Sequence, residues 1–172
     1  MEHPLITAVT HSTDEARVTL LGVPDRPGIA GRIFGALSVS NVNVDMIVQN
    51  EPASEGAEAD ISFTVPRSDI RAADGVLEPM RGDMFAEVRT DPEMGVVSII
   101  GAGMKSHPGV AAKVFSTLGD QSINIEMIST SPIKISCVIR GEHVEQAVRA
   151  LHAAFELGSG DVEREQPFGA TA

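Results

Sequence analysis

The loop Val23–Ala30, with the sequence VPDRPGIA, carries the residues best suited to binding chemistry. We predict that it opens a helix, and the first turn of a helix presents unpaired backbone N–H groups and the positive end of its dipole. Gly28 leaves room for a small carboxylate beside those donors, and Asp25 could attract an ammonium group. The loop therefore holds both halves of a site for an amino-acid zwitterion. The structural alternative is that Asp25 caps the helix and Pro27–Gly28 forms a turn.

The same loop design occurs a second time. Residues 18–50 align on residues 99–131 without a gap, at an offset of 81 (109 − 28 = 81), and ISFTV from Ile61 aligns with ISCVI from Ile135. The second alignment has an offset of 74 (135 − 61 = 74), so the first copy is seven residues longer than the second. The extra residues fall in Glu51–Ala59, which we expect to be a surface loop. A period of this size indicates two copies of a small domain rather than an array of short repeats. Ser106 stands where Asp25 stood, so the two loops differ chemically.

Each copy has the element order β-α-β-β-α, with a final strand in the first copy. This is the order of the ferredoxin-like βαββαβ fold, an α+β fold in which helices cover one face of an antiparallel sheet. The apolar spacing predicts the helices, and the alternation of apolar and polar residues predicts the strands. Pro27 and Pro108 are expected in first helical turns. In the first copy the predicted elements are a strand over Arg17–Gly22, a helix with Ile29, Ile33, Phe34 and Leu37 buried, an alternating strand over Val42–Gln49, a strand over Asp60–Val65, a helix with Ile70, Ala73 and Leu77, and a strand near Met84–Arg89.

The predicted domains are residues 14–92 and 93–158. The second copy has no obvious final strand, so we expect the apolar N-terminal strand, residues 4–11 with Leu5–Val9 at its centre, to complete the second sheet. Alternatively, Asp161–Glu165 supplies a weak strand there. Residues 159–172 are rich in glycine and acidic residues, which favours a flexible tail.

Composition excludes several classes of function. The 172 residues carry a formal net charge of −11 and no Trp or Tyr, which argues against nucleic-acid binding. No apolar run approaches the roughly 20 residues that span a bilayer, so we expect a cytoplasmic protein with no membrane contact. The single Cys137 lies in an apolar strand pattern and is expected to be buried, as are Met46 and Met127. The five histidines lack metal-ligand spacing, and we expect no metal. The sequence also lacks the phosphate-binding motif GxxxxGK[ST] and a nucleophile–base pair, so we expect no catalysis from the chain on its own.

Four segments carry a resemblance that covers roughly residues 5–157. VTLLGVPDRPGIAGRIF with NVNVDMIVQN, and GAGMKSHPGVAAKVF with INIEMISTS, resemble the paired ACT domains in the C-terminal regulatory part of aspartate kinase. The resemblance implies a small, β-type regulatory subunit or an equivalent fragment. It also implies a homodimer, a catalytic α-type subunit as partner, no cofactor, and feedback control of lysine, threonine and methionine synthesis by threonine, with or without lysine.

The resemblance further implies that effector binds where the first ACT domain of one chain meets the second ACT domain of another. At Ala111 and Pro132, relatives often carry polar side chains. The implied threonine site consists of Asp25, Gly28, Ile29, Ala30 and Gln49 of one chain with Asn124 and Ile125 of the other. A pseudo-equivalent second site would use Gly109, Val110, Ala111 and Ser131 with Asn43, Val44 and Asp45.

Two other functions are compatible with a ferredoxin-like fold. The small regulatory subunit of acetolactate synthase is also an ACT protein, and its effector would be valine. Asp25 and Gln49 argue against that assignment, because an apolar side chain gains nothing from them. A small acylphosphatase-like hydrolase would need arginine and asparagine side chains that hold a phosphate, and no matching loop is visible.

Overall fold

The computed structural model describes residues 5–50, 58–102, 104, 107–158 and 162–164. They divide into two compact units. The first unit is Asp14–Pro92, and the second unit combines residues 5–13 with the residues from Glu93 to 164. Two long strands, β1 (Leu5–Pro24) and β4 (Glu87–Ala102), each contribute residues to both units.

The first unit contains α1 (Ile29–Val39), β2 (Asp45–Gln49), β3 (Glu58–Pro66) and α2 (Ile70–Leu77) besides its parts of β1 and β4. Its strand order is β2-β3-β1-β4, and β3 pairs antiparallel with both β1 and β2. Alternate residues of the strands and one stripe of each helix form its core, as the apolar spacing predicts. The fully buried members are Ala16, Val18, Leu20, Ile33, Leu37, Phe63, Val65, Ala73 and Leu77.

The second unit repeats this plan with α3 (Pro108–Asp120), β5 (Met127–Thr130), β6 (Lys134–Arg140) and α4 (Val144–Ala154). Its strand order is β1-β4-β6-β5, and β6 pairs antiparallel with β4 and β5. Cys137 lies in the core of this unit with no exposed surface, as predicted, and burial raises the pKa of its thiol to about 12. Both units thus have the α+β architecture predicted from the sequence.

The second unit takes strands from both ends of the chain. The N-terminal part of β1 lies beside β4, where the Thr7 hydroxyl donates to the Ile100 carbonyl at 3.3 Å. On the other side of β1, Val162–Arg164 form a short strand, β7, that pairs in parallel with Val9–His11. The sequence prediction names the N-terminal strand and Asp161–Glu165 as alternatives for the last strand of this sheet, and the structure contains both. The tail predicted over 159–172 therefore includes three residues that form a strand. The other residues of that stretch, 159–161 and 165–172, lie outside the described residues.

Several details differ from the sequence prediction. β1 is one continuous strand over Leu5–Pro24, where the prediction has a strand over residues 4–11 and a separate strand over Arg17–Gly22. Helix α1 begins at Ile29, so Pro27 precedes the helix, whereas Pro108 is the first residue of α3 as predicted. Glu58 and Ala59 belong to β3 rather than to the inserted loop, because Ala59 is buried opposite Val23; residues 51–57 lie outside the described residues. The remaining two differences concern strand starts: β2 begins at Asp45 instead of Val42, and β4 begins at Glu87 after a turn that buries Met84 and Phe85.

Candidate functional site

The loop before α1 ends in an open helix start. Gly28 is the N-cap residue, in the left-handed conformation with φ of 89°, and no side chain donates or accepts a capping hydrogen bond there. Asp25 therefore does not cap the helix, whereas Pro27 and Gly28 form a turn, as the structural alternative predicts. The Arg26 N–H donates to the Pro24 carbonyl at 3.0 Å, and Asp25 itself is exposed. The N–H groups of Ala30 and Gly31 fall in the first turn, where the helix supplies no acceptor.

Strand register brings Gln49 to the same end of the sheet as this loop. Gln49 at the end of β2 pairs with Ile61 of β3, which in turn pairs with Leu20 of β1. β1 continues from Leu20 to Pro24 and then enters the loop. Five of the predicted site residues thus share one end of the first unit, and we name them the first helix-start half-site: Asp25, Gly28, Ile29, Ala30 and Gln49.

The segments that precede β2 and β5 lie at the opposite end of their units. The Val42 N–H donates to the Leu37 carbonyl at 3.0 Å, and the Ile123 N–H donates to the Leu118 carbonyl at 3.0 Å. Each segment therefore folds back directly on the last turn of its helix. A helix of 11 residues is about 16 Å long. Within one unit, the helix-start half-site and the segment before the next strand are consequently separated by the length of the helix.

The two pre-strand segments differ in which polar groups are already engaged. In the first unit, the Asn43 N–H donates to Asp69 Oδ2 at 3.3 Å, and Asp45 Oδ1 accepts the Met46 N–H at 2.9 Å. In the second unit, the exposed Asn124 side chain donates to Glu126 Oε1 at 3.3 Å. The two segments therefore offer different groups to a ligand.

The second helix start borders a cavity of about 340 Å³ within the second unit. It is an open depression, because Pro108, Thr130, Ser131 and Pro132 of its lining are exposed. Predicted residues Ala111 and Ser131 line the cavity, whereas Gly109 and Val110 do not, and Val110 belongs to the core. The complete lining is Met104, His107, Pro108, Ala111, Thr130, Ser131, Pro132 and Ile135.

Comparison with known proteins shows where this arrangement occurs. A family model described as ACT domain matches residues 18–78 and 97–155. The aspartate kinase of Pseudomonas fluorescens is 49% identical over 158 residues, which are 91% of this chain and 38% of that protein. The regulatory subunit of aspartate kinase from Thermus thermophilus, in its ligand-free form, superposes with a TM-score of 0.82 at 39% identity over 88% of this chain and 99% of that chain. The chain belongs to the family of aspartate kinase regulatory regions.

A further solved structure, of aspartokinase alpha and beta subunits, contains a chain that is 43% identical and superposes with a TM-score of 0.81 over 88% of this chain and 99% of that one. The ACT matches fall one in each unit, so the units are the two ACT domains of this regulatory region. The chain spans 38% of the length of the curated aspartate kinase from P. fluorescens that it matches.

The ACT domains expose two equivalent isoleucines on outer strands. β2 and β5 each pair with only one neighbour in the described strand order, and Ile47 and Ile128 on these strands are 54% and 44% exposed. The two positions are related by the repeat offset (128 − 47 = 81). An exposed strand edge with an apolar side chain is a site where another strand can pair.

Sequence reasoning missed part of the cavity lining. Met104, Pro108 and Ile135 resemble ordinary core or turn residues, and no chemical signal in the sequence separates them. Thr130 had a usable signal, because the offset of 81 relates it to Gln49. Ser106, the counterpart of Asp25, lies outside the described residues. Within the described part of the chain, no group of His, Cys, Asp and Glu could hold a metal ion, and no helix is long and apolar enough to cross a membrane.

Proposed function

We propose that this chain is the non-catalytic regulatory part of an aspartate kinase and binds threonine between ACT domains of two chains. One observation carries the proposal: in each domain, the start of the first helix and the segment before the next strand lie at opposite ends of that helix. A ligand that needs both must therefore lie between two domains. We infer that the first domain of one chain faces the second domain of its partner, in a homodimer.

The exposed outer strands support this pairing. Among the described strands, β2 and β5 each have one edge without a neighbour, and pairing two such edges would satisfy their backbone groups and cover Ile47 and Ile128. Small domains of this size bury only about 60% of the surface of their chain, so association adds stability that each domain lacks alone.

The chemistry of the first site suits threonine. The free N–H groups at the start of α1 and the backbone of Asn124 and Ile125 would hold the carboxylate and ammonium groups. Asp25 and Gln49 are both exposed. The Asp25 carboxylate would accept a hydrogen bond from the side-chain hydroxyl, and the Gln49 amide would either accept from it or donate to it. Valine would leave these groups unpaired, which favours threonine over the effector expected for acetolactate synthase.

Threonine would regulate by stabilising one arrangement of the dimer. A ligand shifts an equilibrium only by its difference in affinity for the two states, and a coupling of about 1–3 kcal/mol is typical. We propose that the stabilised dimer holds a catalytic α-type partner inactive, which would provide feedback control of aspartate-derived amino-acid synthesis in the cytoplasm. The solved complex of aspartokinase alpha and beta subunits supports a partner of that kind.

Calorimetric titration of the full chain with threonine tests the residue assignment. Gln49→Ala removes a hydrogen-bonding group, and Ala30→Thr adds bulk beside the free N–H groups, so both should weaken binding at least tenfold. Gln146→Ala serves as the matched control, because Gln146 is an exposed glutamine on α4 in neither half-site. Unchanged affinity in both Gln49→Ala and Ala30→Thr would refute the assignment.

A further inference from the structure

We propose that Asp60 is a positioning residue of the threonine site, because it fixes the two chain segments that carry Asp25 and Gln49 relative to each other. The inference rests on the proposed function, in which these two side chains bind the hydroxyl group of threonine. Asp60 is not a member of the first helix-start half-site, and it acts only through the residues that are.

The backbone of Asp60 holds the end of β2. Asp60 lies in β3 beside Ile61, the residue that pairs with Gln49. The Asp60 carbonyl accepts the N–H of Asn50, the residue after Gln49, at 3.0 Å. The place at which the Gln49 side chain leaves the sheet is therefore set from β3.

β1 contains a β-bulge just before the loop Val23–Ala30. Leu20 pairs with Ile61, and the next pair along the two strands is Val23 with Ala59. β1 therefore has one residue more than β3 in this interval (23 − 20 = 3 and 61 − 59 = 2). A bulge interrupts the regular hydrogen-bond ladder and bends the strand that contains it. The bulge thus sets the direction in which the loop leaves the sheet.

The side chain of Asp60 holds this bulge through Gly22. The Gly22 N–H donates to Asp60 Oδ1 at 3.3 Å, and this hydrogen bond is partly buried. The carbonyl of the same peptide group, which belongs to Leu21, accepts the Ala86 N–H at 2.8 Å. Gly22 has a φ of 70°, and a Cβ atom there would lie 2.9 Å from Ala86 Cβ, so the position requires glycine. Both polar atoms of the bulged peptide group are therefore engaged.

The equivalent position in the second ACT domain holds a lysine. The offset of 74 relates Asp60 to Lys134 (134 − 60 = 74). The backbone hydrogen bond is retained, because the Lys134 carbonyl accepts the Ser131 N–H at 2.7 Å. A lysine ammonium group, however, cannot accept a hydrogen bond from a backbone N–H. Asp60 therefore distinguishes the first domain, which is the one that carries Asp25.

Recognition of the ligand hydroxyl depends on both segments at once. In the proposed site, Asp25 and Gln49 reach one hydroxyl group from two separate segments, so a shift of either segment breaks a hydrogen bond. A hydrogen bond to a charged group such as the Asp25 carboxylate contributes about tenfold or more in affinity. The α-amino and α-carboxylate groups would bind backbone groups instead. Loss of the Asp60 side chain should therefore reduce selectivity for the hydroxyl more than it reduces binding in general.

Calorimetric titration of the full chain with L-threonine and L-valine tests the proposal, because valine has a methyl group in place of the hydroxyl. Asp60→Ala should weaken threonine binding by about tenfold or more, while valine binding changes little. A general loss of structure would weaken the binding of both ligands. Asp60→Asn should behave as the wild-type chain, because the amide oxygen can accept the Gly22 N–H.

Asp74→Ala is the matched control for these titrations. Asp74 belongs to the same domain, and its carboxylate accepts the Thr90 hydroxyl at 3.2 Å. The substitution therefore also removes an aspartate that accepts a hydrogen bond, but Asp74 lies on α2 and contributes to neither segment of the half-site. We expect it to leave the threonine and valine affinities unchanged.

Amide hydrogen exchange of the ligand-free chain measures the positioning itself. The Arg26 N–H reports on the loop, because it donates to the Pro24 carbonyl at 3.0 Å. In Asp60→Ala, the amides of Gly22 and Arg26 should exchange faster than in the wild-type chain. In Asp60→Asn, both should exchange at the wild-type rate.

Three results would overturn the role of Asp60: unchanged exchange at Gly22 and Arg26 in Asp60→Ala, equal weakening of threonine and valine binding by that substitution, or equal effects of Asp60→Ala and Asp60→Asn. A wild-type chain that binds threonine no better than valine would instead refute the proposed threonine function. The exchange rates would still decide in that case whether Asp60 holds the loop.

Discussion

The two loops share a Pro-Gly pair but begin their helices differently, and alanine substitution of each glycine should reveal this difference. Gly28 has a φ of 89°, a conformation that costs a residue with a Cβ atom about 1–2 kcal/mol. A Cβ atom at Gly28 would meet nothing within 4 Å, so Gly28→Ala has a conformational cost and no steric one. Reduced freedom of the unfolded chain offsets part of that cost, by about 0.4–1 kcal/mol. We therefore expect a net destabilisation of about 1 kcal/mol.

Gly109→Ala should have the opposite sign. Gly109 lies inside α3, and a Cβ atom there would also meet nothing within 4 Å. Alanine is compatible with helical backbone, so the substitution should stabilise the chain by about 0.4–1 kcal/mol. For a chain of this length, about 1 kcal/mol shifts the melting temperature by roughly 2–4 °C.

Urea and thermal unfolding of both variants measure the difference directly. We expect the two midpoints to move in opposite directions, by about 3–8 °C relative to each other. Threonine affinity should fall in Gly28→Ala, because the substitution displaces the free N–H groups of α1. Equal destabilisation by both substitutions would refute the reasoning, since it would mean that the two helices begin in the same way.

Two further predictions concern the core of the second unit. Gly95→Ala should lower the free energy of unfolding by about 1–3 kcal/mol, because its Cβ atom would contact Val144 and lie 2.9 Å from the Ser12 carbonyl oxygen. Gly119→Ala, where a Cβ atom meets open space, should lower it far less. Equal losses in urea unfolding would contradict this. Burial raises the pKa of Cys137 from 9.0 to about 12, so the unfolded state ionises first and stability falls as the pH rises from about 9 towards 12. Relative to Cys137→Ala, the wild-type chain should lose about 1.4 kcal/mol between pH 7 and pH 10, and parallel pH profiles would contradict this.

The sequence predicts the parts of the fold that depend on periodicity. The spacing of Ile29, Ile33 and Leu37 is sufficient to identify α1 and its buried face, because a helix places these residues on one stripe. The residue at which that helix begins is less predictable. Pro27 and Pro108 occupy the same place in the repeat, yet only Pro108 is helical, since the left-handed Gly28 delays the first turn of α1.

The candidate site was predictable where it depends on the repeat and unpredictable where it depends on packing. Ala111 and Ser131 were named through the family resemblance, and both line the cavity of the second unit; their part in ligand binding stays a prediction. Met104 and Ile135 line it as well, but an apolar residue in a strand or loop gives no sign of whether it faces a cavity or a filled core. The sequence indicates Asp161–Glu165 only as an alternative to the N-terminal strand, because nothing in Val162–Arg164 shows that it would pair with that strand, in parallel, as β7 does.

The central claim is that each threonine site is built from two chains. The most direct test is to measure threonine binding by a mixture of two variants, each of which blocks a different half of the site. Ala30→Phe blocks the helix-start half-site, and Asn124→Trp blocks the facing pre-strand segment at an exposed position. Neither variant should bind threonine alone, and sedimentation should show that each still forms dimers. An equimolar mixture allowed to exchange subunits should regain up to about one quarter of the wild-type sites per chain, because half the dimers are mixed and each has one intact site. The account would be contradicted if mixed dimers form but the mixture still does not bind threonine.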